Sequence, residues 1–104
     1  MHYLVKFDDT FLTDIEEIRS LLSEKSTKAF SRFIKHFRSN ISLIKANPRL
    51  YKIFEPLPPY RRMNLDYDYA AFYTIDDETK LITFRTMLYG PRDLERTLGM
   101  RPDE

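Results

Sequence analysis

The sequence predicts a two-layer α+β domain in which a helical hairpin packs on one face of a small, twisted, mainly antiparallel sheet. Two observations predict this class. Apolar residues recur every three or four positions over two stretches between residues 11 and 45, the pattern of amphipathic helices. They alternate with polar residues in one N-terminal stretch and in three stretches after residue 59, which is the strand period. The predicted order is strand, helix, helix, then a three-strand antiparallel meander.

The first strand is predicted over residues 2 to 8, where apolar and polar side chains alternate. Asp9 or Thr10 then offers an N-cap, and the first helix is predicted from Phe11 to about Ser23. The apolar stripe of this helix consists of Phe11, Leu12, Ile15, Ile18 and Leu22.

The second helix is predicted from about Thr27 to Lys45, after the short break at "SEKST". Its apolar stripe consists of Phe30, Phe33, Ile34, Phe37, Ile41 and Ile44. Its basic run Lys25, Lys28, Arg32, Lys35 and His36 falls opposite the phenylalanines, which predicts a solvated face. Asn47-Pro48 ends the helix, and the proline-rich stretch 46 to 59 is predicted to be a loop.

The three strands of the meander are predicted at 60 to 67, 69 to 75 and 81 to 89, with "DDETK" at 76 to 80 as the acidic turn. In the last strand, Phe84, Thr86 and Leu88 are predicted to share one face and Arg85, Met87 and Tyr89 the other. Tyr67, Tyr69 and Tyr73 fit cross-strand packing better than base stacking, although both remain open. The helices are expected to cover one face of the sheet. The opposite face, called the second face below, is expected to be partly open to a ligand, an RNA or a partner chain.

Length and composition restrict the function classes. The 104 residues predict one domain over 1 to 104, with 98 to 104 as a frayed tail. The net charge of +1 favours no class of partner, and the absence of cysteine excludes disulfides, thiolate metal sites and a cysteine nucleophile. The two histidines lack ligand spacing, so neither a metal nor a cofactor is expected. No signal peptide or membrane span is apparent, which favours the cytoplasm.

Four residues are the candidates for a functional surface: Arg62, Arg85, Tyr89 and Arg92. Clustered arginines bind phosphate or carboxylate through two parallel hydrogen bonds, and a tyrosine adds a proton donor or a stacking ring. Arg61 is a further arginine at the start of the same strand as Arg62. The alternative is that these are ordinary surface arginines and that Tyr89 covers the edge of the core.

The stretch from Asn47 to Leu98 resembles the RelE/ParE superfamily of toxins from type II toxin–antitoxin modules. It has the helix-ending "NP", an arginine leading the second strand, the tyrosine-rich "YDYAAFYT", the acidic turn, and a closing strand followed by "GPRD". The order of elements extends the resemblance to nearly the whole chain. It implies a cytoplasmic prokaryotic toxin held inactive by a cognate antitoxin, which alone contacts operator DNA.

The resemblance leaves the target open. RelE-like members cut ribosome-bound mRNA and ParE-like members poison DNA gyrase. In the nuclease branch, Arg85, Tyr89 and Arg92 would fill the basic and late aromatic roles, but Ala70 and Ala71 stand where that branch has an arginine. The closing "LYGPRDLERTL" looks more like the ParE branch, so gyrase poisoning is favoured over mRNA cleavage. A non-toxic module that retains only antitoxin binding is the third possibility. In each case, a groove between helices and sheet is expected to bind an amphipathic antitoxin segment.

Overall fold

The computed structural model describes residues 3 to 89. Its elements are β1 Leu4–Phe7, α1 Asp9–Lys25, α2 Ala29–Ala46, β2 Arg61–Asn64, β3 Tyr69–Asp76 and β4 Leu81–Tyr89, with a 3-10 helix Asp66–Asp68 before β3. The predicted α+β class and the order of elements are confirmed. Arg92 and the predicted tail at 98 to 104 lie outside the described residues.

The four strands form one sheet in the order β1-β4-β3-β2. The pairs β2–β3 and β3–β4 are antiparallel, as the meander predicts, whereas β1 runs parallel to β4. Pairing of β1 begins at Leu4, opposite Leu81, and stops at Phe7, opposite Phe84. On the side of β4 that faces β1, the backbone after Phe84 therefore has no strand partner within the described residues.

The helices cover one face of the sheet because both present a stripe of large apolar side chains to it. Phe11 from α1 and Phe37 from α2 each lie 5.3 Å, ring centre to ring centre, from Phe84 in β4. Tyr73 in β3, the strand partner of Phe84, lies at the same distance from it. Full burial of one such side chain contributes about 1.5–3 kcal/mol to the stability of the fold. This aromatic cluster therefore contributes strongly to the packing of the helices on the sheet.

The start of α1 differs from the prediction. The helix begins at Asp9, and its N-cap is Asp8 instead of Asp9 or Thr10. The side chain of Asp8 makes no capping hydrogen bond because its carboxylate binds Arg85. Leu12, predicted to belong to the apolar stripe, is 50% exposed.

The second face of the sheet, predicted to be partly open, is covered in its middle by the loop between α2 and β2. Phe54 and Leu57 from this loop pack with Tyr60 against Phe72 of β3. The loop also follows the outer edge of β2, where Arg62 N donates to Lys52 O at 3.2 Å. The polar side chains nearer β1 stay accessible on this face.

The strand predicted at 60 to 67 ends early, at Asn64, because the chain turns before β3. Tyr67 and Asp68 adopt left-handed backbone angles, with φ of 59° and 64°, inside this turn. Tyr67 is therefore a turn residue and partly exposed, whereas Tyr69 and Tyr73 are buried. For these two tyrosines, packing is the observed role.

Candidate functional site

A β-bulge at Arg85 shapes the candidate surface. Thr86 pairs with Phe72 and Phe84 pairs with Tyr73, so Arg85 is an extra residue in β4 with no opposite partner. The predicted alternation of faces is therefore wrong across this point, and Phe84 and Met87 both join the core under the helices. Bulges re-aim side chains, and this one directs the Arg85 side chain across the second face.

The guanidinium of Arg85 is held by two neighbours. Its Nε donates to Thr74 Oγ1 at 3.0 Å and its Nη1 to Asp8 Oδ2 at 3.1 Å. It lines an open cavity of about 640 Å³ together with Lys6 on β1. Three carboxylates, those of Asp76, Asp77 and Glu78, line the same cavity. The cavity is thus of mixed charge, and Arg85 already has an acidic partner in Asp8.

Arg62 also reaches the second face, in different surroundings. It pairs with Phe72, and its guanidinium carbon lies 5.4 Å from the ring centre of Phe54. This cation–π contact fixes the arginine on the loop that covers the middle of the face. Arg61, its neighbour, donates from Nη1 to Tyr51 O at 2.8 Å and so holds the same loop.

Tyr89 lies at the end of β4 and faces the helix side of the sheet. It is opposite Tyr69, with ring centres 5.4 Å apart, and it is 57% exposed. Burial, and to a lesser extent the neighbouring Tyr89, raises the pKa of Tyr69. Of the four predicted residues, the structure places Arg62 and Arg85 on one face and Tyr89 on the other, while Arg92 lies outside the described residues. Their common role in a functional surface stays a prediction.

Tyr89 instead borders a groove of about 810 Å³ between α1 and the free edge of β4. The apolar lining includes Ile18, Leu21 and Met87. Carboxylates surround it: Asp14, Glu17, Glu24 and Asp68 line the groove, with Lys25 as the only described basic residue among the lining. The sequence prediction of a groove between helices and sheet assigned none of these acidic residues to it, although α1 carries three of them, Asp14, Glu17 and Glu24, at helical spacing.

Asp14 anchors the floor of this groove to α1. Its Oδ2 accepts hydrogen bonds from Thr86 Oγ1 at 2.8 Å and from Met87 N at 2.9 Å. The second bond occupies an N–H of the free β4 edge that a neighbouring strand would otherwise take. Among the described residues, no strand pairs with the rest of that edge, toward Tyr89.

Within the described residues, no histidine lines the Arg85 cavity or the groove. His36 lies on α2 and pairs with Asp66, with Nδ1 and Oδ2 3.1 Å apart. Within residues 3 to 89, no cluster of three or more histidines and carboxylates is arranged to hold a metal ion. None of the helices in this range is long and apolar enough to cross a membrane. The apolar floor and acidic border of the groove are suited to binding a peptide with apolar and basic side chains.

The chain matches the model of a known protein family. The model of the ParE toxin of type II toxin–antitoxin systems (parDE) matches residues 5–93. No curated protein sequence matches the chain significantly.

Several solved structures have a similar fold, among them structures from E. coli and from Mycobacterium tuberculosis. E. coli toxin RelE, as a double arginine-to-alanine variant in the free state, has a TM-score of 0.66 and 15% identity over 93% of both chains. The same variant bound to a peptide of the antitoxin RelB has a TM-score of 0.65 and 15% identity over 98% of both chains. The toxin–antitoxin complex RelBE2 from Mycobacterium tuberculosis has a TM-score of 0.53 and 18% identity, covering 86% of this chain and 93% of that chain. At these identities the likeness shows a shared fold.

Proposed function

The chain belongs to the ParE toxin family of type II toxin–antitoxin systems, and we propose that it inhibits growth in the cytoplasm by poisoning DNA gyrase. The observation that carries the proposal is the family match over residues 5–93, which includes both helices, β2 to β4 and all of β1 but its first residue. Gyrase poisoning is the activity that resemblance to the ParE branch implies.

The chemistry of the second sheet face supports this target over mRNA cleavage. A nuclease needs a group that moves a proton and cations that are free to stabilise a phosphate. Arg85 is bound to Asp8, and the carboxylates of Asp76 and Glu78 share its cavity and repel a phosphate. A toxin that acts by docking on a protein target needs neither a general base nor such a phosphate site.

The groove between α1 and β4 is the proposed binding site of the cognate antitoxin. Its apolar floor suits an amphipathic segment, its acidic border suits lysine and arginine, and the β4 edge after Met87 suits an added strand. RelE is bound by a RelB peptide in one structure of similar fold. Contact with operator DNA in this proposal is made by the antitoxin.

Induced expression in bacterial cells tests the target. The proposal expects loss of viability, gyrase-dependent double-strand DNA breaks and an SOS response while mRNA stays intact, all relieved by co-expression of the adjacent antitoxin gene. A catalytically inactive gyrase or a gyrase-targeted resistance mutation serves as the control for the breaks. Cleavage of mRNA in a translating extract, without DNA breaks, would establish the RelE-like alternative. Harmless expression in the native host would establish the non-toxic module.

A further inference from the structure

The near-neutral net charge conceals a separation of charge along the chain. Residues 25 to 54 contain eight Lys and Arg and no Asp or Glu. The rest of the chain contains nine Lys and Arg against sixteen Asp and Glu. The basic segment coincides with α2 and its flanks, whereas the groove between α1 and β4 is bordered by carboxylates.

The basic residues of α2 share its solvent side. The buried residues Phe33, Phe37 and Ile44 face the sheet, so the side opposite them faces away from both sheet and groove. Its exposed residues are cationic or small and hydroxylated over most of its length: Lys28, Ser31, Arg32, Lys35, Arg38, Ser39 and Ser42. We call this set the α2 basic face.

The cations of the α2 basic face are not neutralised within the described residues. No carboxylate in that part of the chain forms an ion pair with Arg32, Lys35 or Arg38. The ion pairs nearest to them lie at the borders: His36 with Asp66 on one side, and Arg19 with Glu16 on α1. Unpaired cations along one helix face create a positive potential that attracts a polyanion.

A cleft of about 490 Å³ adds a concave part to this face. It runs between α1 and α2 and is lined by Arg19, Lys35 and Arg38, by the hydroxyl groups of Ser23, Thr27 and Ser31, and by two apolar residues of α2. No carboxylate lines it among the described residues. Arginine, lysine and hydroxyl donors are the groups that contact phosphate oxygens in protein–DNA interfaces.

We propose that the α2 basic face binds the phosphate backbone of duplex DNA, without reading the bases. Phe33 and Phe37 of α2 are buried, and the half-buried ring of Phe30 in the cleft is covered by the guanidinium of Arg19, 4.7 Å from the ring centre, so the face offers little platform for stacking single-stranded bases. From Lys28 to Ser42 the face spans about 21 Å along the helix, which corresponds to roughly six base pairs of a DNA backbone. This surface is separate from the antitoxin groove, and its DNA contact does not depend on what the toxin inhibits.

The α2 basic face is tested by fluorescence anisotropy with a labelled 20-base-pair duplex of mixed sequence, measured between 50 and 200 mM KCl. The double variant Arg32→Gln/Lys35→Gln is compared with Lys6→Gln/Lys80→Gln, which removes the same charge from the sheet and the β3–β4 turn. The α2 variant should bind the duplex severalfold more weakly, and its logarithmic salt slope should fall by about 0.9 for each phosphate that the variant no longer neutralises. The control should retain the affinity of the parent protein.

Three results overturn the proposal. The first is that the parent protein shows no measurable binding at 50 mM KCl. The second is that both double variants weaken binding equally, because binding would then depend on the net charge of the protein and not on the α2 basic face. The third is tighter binding of a 20-nucleotide single-stranded RNA than of the duplex, which would assign the face to RNA. None of these results bears on gyrase poisoning, because that activity is measured separately in cells.

Discussion

Arg85 and Asp8 form an ion pair, with Nη1 and Oδ2 3.1 Å apart, that ties the bulge of β4 to the residue preceding α1. The pair joins positions 77 residues apart in sequence, and it uses the Asp8 carboxylate that would otherwise cap the helix. A bond from Arg85 to Thr74 fixes the same guanidinium on β3. Arg85 therefore has a structural role that must be separated from any role in toxicity.

The variant Asp8→Asn separates these roles. We expect Asp8→Asn to retain toxicity, because Arg85 is still present and still donates a hydrogen bond to Thr74. Arg85→Ala removes the guanidinium itself and should abolish toxicity. The side chains of the ion pair are 39% and 33% exposed. Loss of the pair should therefore lower the free energy of unfolding by no more than about 1 kcal/mol. Plating efficiency after induction and urea unfolding measure the two effects.

Arg19→Ala is the matched control, since it breaks an exposed ion pair with Glu16 on α1. It should leave toxicity unchanged. Equal loss of toxicity in Asp8→Asn and Arg85→Ala would mean that the arginine acts only by holding the bulge in place.

Asp14 should be the carboxylate of α1 with the largest effect on stability. Asp14→Ala removes the acceptor of Thr86 Oγ1 and of Met87 N, and Thr86 is completely buried. An unsatisfied buried donor costs about 1–3 kcal/mol, so the midpoint of urea unfolding should fall clearly. Glu17→Ala changes an exposed carboxylate of the same groove and should stay within about 0.5 kcal/mol of the parent. Similar midpoints for the two variants would contradict this role of Asp14.

The ionised carboxylate of Asp77 is expected to stabilise the folded protein at neutral pH, and this stabilisation should be lost at acid pH. A hydrogen bond from Arg49 and a second from Tyr3 lower the pKa of Asp77 to about 2. Because the folded pKa lies below the unfolded value of about 3.9, this contribution is complete above that value and is lost as the pH falls toward 2. The melting temperature of Asp77→Asn should therefore lie below that of the parent at pH 6 and approach it near pH 2.

Glu78→Gln is the control for this comparison, because it neutralises the neighbouring exposed carboxylate in the same turn. Its melting temperature should follow that of the parent across the whole pH range. A constant difference between Asp77→Asn and the parent from pH 6 to pH 2 would show that the ionised carboxylate contributes no stability.

The sequence predicts well what depends on local periodicity. The stripe at Phe33 and Phe37 locates α2, and the alternation around Tyr73 locates β3, because each depends only on neighbours along the chain. The bulge at Arg85 was not predictable in this way. It depends on which residues of β3 pair with Phe84 and Thr86, and this register is set by the packing of the whole sheet.

The same limit applies to the groove. The acidic side of α1 is visible in the sequence. The two hydrogen-bond donors to Asp14, however, belong to Thr86 and Met87, more than 70 residues later in the chain. The separation of Arg85 from Tyr89 also follows from the bulge, because strict alternation would have placed both on one face. Long-range pairing thus decided which of the predicted residues share a surface.

The acidic border of the α1–β4 groove predicts how the antitoxin is recognised. The double variant Glu17→Lys/Glu24→Lys should bind the cognate antitoxin at least tenfold more weakly, mainly through slower association, because like charges then face the basic residues of the antitoxin. Surface plasmon resonance at low and high salt measures this, and the difference from the parent should shrink at high salt as the charges are screened.

Glu55→Lys/Glu78→Lys is the matched control, because it introduces the same charge change away from the groove and should leave antitoxin binding unchanged. In cells, the groove variant should stay toxic when the antitoxin is co-expressed, since the weakened complex releases free toxin. Full neutralisation of the groove variant, with unchanged association rates, would place the antitoxin on another surface while leaving the assignment of the chain to the toxin family intact.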